Sequence, residues 1–122
     1  VSLLKPKANF AGSGSFFRDG EYIPLFKVTP IYPRRAQERG IMGFAIVTFT
    51  ITETGTVENA KPLEGACGDP TNPDTVFRPC SIFNSAASRA SLKLKYKPKI
   101  VDGKAVRVDD VPHKFTFILE ED

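Results

Sequence analysis

Catalysis by side chains needs a nucleophile within hydrogen-bond reach of a base, or paired carboxylates in a cleft. This chain has one histidine, His113. It falls in phase with Val111, Phe115 and Phe117, so it reads first as a strand histidine with a structural role. Ser13 and Ser15 are flanked by glycine, but Gly12-Ser13-Gly14-Ser15 has the composition of a linker. None of the spacings G-x-S-x-G, H-E-x-x-H, the phosphate-binding loop or G-x-G-x-x-G occurs. The residues point away from an enzyme.

The two cysteines, Cys67 and Cys80, lie in a stretch rich in Gly, Pro, Asp and Asn. They read as a Cys67–Cys80 disulfide, which implies an oxidising compartment such as the periplasm. The bridge would then be worth roughly 3 kcal/mol through loop closure. The alternative is two thiols in a cytosolic protein. Zinc is the poorest fit, because four closely spaced ligands are lacking. No metal or other cofactor is expected.

Arg34, Arg35 and Arg39, with lysines between Lys93 and Lys99, could form a phosphate-binding face. The net charge is only +3, with a pI near 9.0. The aromatic platform of single-strand binders is missing, so a solvated basic face is the plainer reading and no nucleic-acid partner is expected. Tyr96, between lysines, reads as a recognition aromatic or as a ring packed with its hydroxyl bonded.

The elements that hold these residues follow from 122 residues, enough for one domain, of which 41% are hydrophobic and ten are Phe. No apolar run reaches the ~20 residues that cross a bilayer, and no signal peptide is visible. The start at Val1 suggests a piece of something longer. Residues 1–20 read as the end of a flexible linker and residues 21–122 as the domain. Part of the stretch from Glu21 to Val28 is expected to lie extended on it.

Tyr32-Pro33 opens a short helix, with Pro33 at its first position, Ala36 inward and Gly40 ending it. Gly43 to Ile51 alternates strictly, with Ala45, Val47, Phe49 and Ile51 on one face. Glu53-Thr54-Gly55 turns the chain into a second strand, from about Thr56 to Leu63. Pro62 there marks an edge or an end. Glu64 to Ser81 reads as a loop. Asn84 reads as the N-cap of a helix whose stripe is Phe83, Ala86, Ala87, Ala90 and Leu94, with Lys93, Lys95 and Lys97 at its end and Pro98 stopping it. Asp102-Gly103 is a tight turn. The last strand runs from about Val111 to Leu119, with Thr116 and Ile118 outward. The fold class is α+β: a three-stranded antiparallel sheet packed against two helices. Such a sheet leaves an edge of unpaired N–H and C=O groups, which invites an added strand, unless Glu21 to Val28 covers it.

In order along the chain stand Tyr32-Pro33, Ala36, Gly40, Gly43, Gly55, Phe83-Asn84, Tyr96-Lys97-Pro98, Gly103-Lys104 and Phe115-Thr116-Phe117. This ordered set, within Thr29 to Leu119, resembles the C-terminal domain of the TonB family of energy transducers. No single motif in it is specific; the ordered set is. The resemblance implies a periplasmic domain, tethered through missing upstream sequence to a proton-driven inner-membrane motor. Its implied partners are outer-membrane receptors, for iron–siderophore uptake among other cargo, whose TonB box adds as a strand and whose plug is pulled. It implies receptor contacts at Thr29, Pro30, Ile31 and Tyr32, and along the last strand at Val111, His113, Lys114, Phe115, Thr116, Phe117 and Ile118. Homodimers by strand exchange are compatible with an exposed edge. The long Cys67–Cys80 loop, Leu94 where the family often has Trp, and Pro62 depart from the pattern. The competing readings are a TonB-like interaction domain of an envelope signalling or assembly protein and, more weakly, a basic nucleic-acid-binding module.

Overall fold

The computed structural model describes Leu4–Pro6 and residues 22–121. Strict apolar alternation makes Gly43–Ile51 (β2) the central strand. Its inner face, Ala45, Val47, Phe49 and Ile51, is at most 2% exposed. Antiparallel to it on one side runs Val57–Cys67 (β3), and on the other Val108–Phe117 (β7). The β2–β3 turn closes by Thr52 N–H to Thr56 O at 2.8 Å, with Gly55 at φ 85°.

The sheet has four strands rather than three. The fourth is Arg78–Pro79 (β4), which pairs with Ala66 and Cys67 of β3. The Cys67–Cys80 disulfide, with Cα atoms 5.7 Å apart, joins the same two segments. The second strand therefore does not stop at Leu63. It continues to Cys67, with a register shift opposite Ile46 and Val47 that absorbs one residue. The loop starts at Gly68, not Glu64. Its Phe77 folds back onto Phe44, on the sheet face away from the helices, with ring centroids 5.1 Å apart.

The two helices cover the inner face. Arg34–Glu38 (α1) starts one residue later than expected, with Pro33 as its N-cap and not its first helical residue. Its one buried residue is Ala36. Asn84–Ser91 (α2) is capped by Phe83, not Asn84. Phe83 is anchored by stacking on Phe117 at 4.3 Å, while Tyr32 meets both rings edge-on. Ala86, Ala87 and Ala90 are buried, and side chains this small let α2 approach the sheet closely. The helix ends at Ser91, short of the lysines. Leu94 and Tyr96 are still buried, because Tyr96 N–H bonds Gly55 O at 2.8 Å and holds that segment against the β2–β3 turn.

Lys99–Val101 (β5) and Lys104–Val106 (β6) form a hairpin about Asp102-Gly103. The last strand starts at Val108, three residues earlier than expected, and breaks at Ile118 before Leu119–Glu121 (β8). β8 pairs with Leu4–Pro6 (β1), so three residues read as linker are strand. Ser13, Ser15, their flanking glycines and Glu21 lie outside the described residues.

Candidate functional site: the open side of β7

The direction of each backbone group along β7 follows from one hydrogen bond. Cys80 N–H donates to Gly65 O at 3.1 Å, so Gly65 turns its backbone toward β4. Its partner on β2, Ala45, must then turn its own toward β7. Directions alternate along antiparallel strands. Ala45 and Phe115 therefore form a hydrogen-bonded pair, as do Gly43 with Phe117, Val47 with His113 and Phe49 with Val111. Pro112, Lys114 and Thr116 direct their backbone away from β2.

Two prolines agree with this assignment. Pro62 and Pro112 both fall at positions whose backbone faces away from β2, so neither removes a ladder donor. Beyond β7 no further strand pairs among the described residues. Residues 22–28 form no strand paired with β7: Leu25 N–H bonds Lys95 O at 2.8 Å, and Val28 is buried in the core. Lys114 and Thr116 thus present N–H and C=O groups outward, while Pro112 presents only its C=O.

The side chains divide by the same parity. Val111, His113, Phe115 and Phe117 are buried and line the core, so an added strand would not touch them. His113 lies beside Phe49, Phe115 and Tyr96, and burial pushes its imidazole down to about 4. It is held neutral as a core residue. Burial likewise raises Tyr96 and Tyr32. Tyr32 donates its hydroxyl to Ile41 O and its ring belongs to the core, not the surface. Pro112, Lys114, Thr116 and Ile118 are half-buried.

Of the upstream residues, Thr29 and Ile31 are exposed and Pro30 is buried. They line a groove of about 100 Å³ with Ala86, Arg89, Ala90 and Lys93 of α2 and its exit. Tyr32 links this segment to the end of β7 through Phe117. Sequence reasoning missed Pro112 and Phe44 at the site. The rule restricting proline in strands could have found Pro112; Phe44 shows its role only through Phe77 and Lys114. Among the described residues, no group of three His, Cys, Asp or Glu is arranged to hold a metal. No helix among them is long and apolar enough to cross a membrane.

The family model for the C-terminal region of the Gram-negative bacterial TonB protein matches residues 28–67. Protein TonB of Pseudomonas aeruginosa is 34% identical over 115 residues, 87% of this chain. The chain spans 30% of that relative's length. The solution NMR structure of the Pseudomonas aeruginosa TonB C-terminal domain aligns with TM-score 0.56 and 29% identity, over 87% of this chain and 94% of that one. The TonB2 protein from Vibrio anguillarum aligns with TM-score 0.52 and 31% identity, over 88% and 91%. With a shared fold and 31% identity over most of both chains, this chain belongs to the family of TonB C-terminal domains.

Proposed function

We propose that the chain is the receptor-binding end of a TonB-type energy transducer. It works in the periplasm as an adaptor with no chemistry of its own. Outer-membrane receptors offer it their TonB box, which adds as a strand beside β7. Upstream sequence tethers it to the inner membrane and a proton-driven motor, and force passes through the paired strands to the receptor plug. The Cys67–Cys80 disulfide suits an oxidising compartment.

The observation that carries this reading is the outward backbone of Lys114 and Thr116. Together they offer two donors and two acceptors. Each bond is worth about 0.5–1.5 kcal/mol net, so four give roughly 2–6 kcal/mol before ordering costs. That is millimolar-range binding from backbone alone, and side chains must add the rest. Thr29 to Ile31, beside the α2 groove, is the second contact.

The test is titration of the ¹⁵N-labelled domain with a synthetic peptide carrying a receptor's TonB box. Shifts should cluster at Thr29–Ile31 and Val111–Leu119. A dispersed spectrum that does not move at millimolar peptide would overturn the proposal and favour another envelope role for the domain.

A further inference from the structure

On the sheet face away from the helices, three side chains run in a row toward the open side of β7. Phe77, carried by the disulfide-closed loop, meets the ring of Phe44. Lys114 Nζ lies over the same ring, 4.4 Å from its centroid. Lys114 has no carboxylate within ion-pair distance among the described residues. It is held by a cation–π contact on the strand whose backbone faces outward at that residue.

The charges along this edge are uneven. Asp109 and Asp110 stand near its start, and Lys114 is the only formally charged side chain from Val111 to Phe117. The edge is negative at one end and positive at its centre. We propose that Lys114, seated on Phe44 and Phe77, sets the register of the added strand by pairing with one carboxylate on its outward face. The partner is an extended peptide with a single acidic residue facing Lys114. A shift of register carries that carboxylate away from Lys114, and in one direction toward Asp110.

The physics behind this is general. Backbone pairing alone does not distinguish registers, and a strand with weak side-chain pattern slips. Cross-strand pairs of opposite charge favour one register, and like charges oppose another. The aromatic row limits where Nζ can sit, so the charge has a position as well as a sign. The inference rests on the strand-addition reading and adds the chemistry of the occupant.

The experiment walks one Glu, and separately one Gln, along the outward positions of the TonB-box peptide used above. Binding is measured by titration calorimetry at low and high salt. One Glu position should bind about two- to fivefold tighter than its Gln counterpart, and salt should shrink the difference. Lys114→Gln should abolish the preference while the amide shifts along β7 persist. Lys114→Glu should reverse it, favouring Lys at that peptide position. Phe77→Ala should blunt it without loss of fold. Equal binding of all Glu and Gln peptides, with strand addition intact by NMR, would overturn this inference alone. Failure of every peptide to bind would overturn the strand-addition reading, and this inference with it.

Discussion

Thr116 and His113 are three residues apart, and parity gives them opposite duties. The N–H of Thr116 faces away from β2, so proline there removes no ladder bond and leaves the sheet paired, as Pro112 already does. Thr116→Pro should weaken binding of an added strand by about three- to tenfold, the worth of one backbone bond. Thr116→Ala should stay within about twofold, and peptide titrations of the two variants decide it. Equal loss from both would mean that the side chain, not the backbone, is read. His113 points inward, where its neutral form is favoured. Unfolded, it titrates near its ordinary 6.5; folded, burial holds it at about 4. Between these values the unfolded chain binds the extra proton. Stability therefore rises with pH in that window, by up to about 1.4 kcal/mol per unit. The contribution is complete above pH 6.5 and is lost as pH falls toward 4. Urea unfolding from pH 5 to 7 should show this slope in the wild type and a flatter one in His113→Leu.

The weakest elements by length are held by covalent or steric closure. β4 has two residues and stays on β3 through the disulfide and the Cys80–Gly65 bond. Replacing both cysteines by serine should cost about 3 kcal/mol and lower Tm by on the order of 10 °C. It should also free the β3 edge, as faster amide exchange at Gly65 to Cys67 would report. At Gly65 a Cβ would stand 2.3 Å from Cys80 O and 2.4 Å from Asn84 Oδ1. Gly65→Ala must push β4 or α2 away and should cost several kcal/mol. At Gly103 a Cβ meets nothing within 4 Å, and only its φ of +79° opposes a side chain, so Gly103→Ala should cost about 1 kcal/mol. Thermal melts of the pair separate closeness from conformation. These elements also mark what the sequence could show. β2 was legible because its alternation is unbroken, and the β5–β6 turn because Asp102-Gly103 names itself. The end of β3 was not, because Pro62 and Gly65 interrupt the pattern and a register shift hides the rest. β4 is too short to have a period. Asn84 has the chemistry of a cap, but the aromatic anchor at Phe83 sets where α2 begins. Lys114 could be placed on the strand from sequence, but not over Phe44, since that contact depends on how the sheet registers.

For the whole molecule, a sheet side with no partner strand among the described residues is a hazard as well as a tool, because a second copy offers the same edge. Pairing of β7 with itself about a two-fold axis is self-complementary in backbone. Centred on the outward stretch from Pro112 to Thr116, that pairing sets Lys114 opposite Lys114 of the other copy. Like charges directly opposed are destabilising, and Pro112 removes one donor from each edge. The same lysine would therefore admit an acidic strand and discourage a second domain. Lys114→Val removes the repulsion, adds a residue that favours strands and leaves the buried face of β7 unchanged. Sedimentation across a concentration series should show Lys114→Val dimerising at concentrations where the wild type sediments as a monomer. Lys114→Glu, which restores like-charge repulsion with the opposite sign, should return the monomer. If all three sediment alike, charge on this strand does not guard the edge, and the guard must be sought in Pro112, whose replacement by Thr would restore the missing donor.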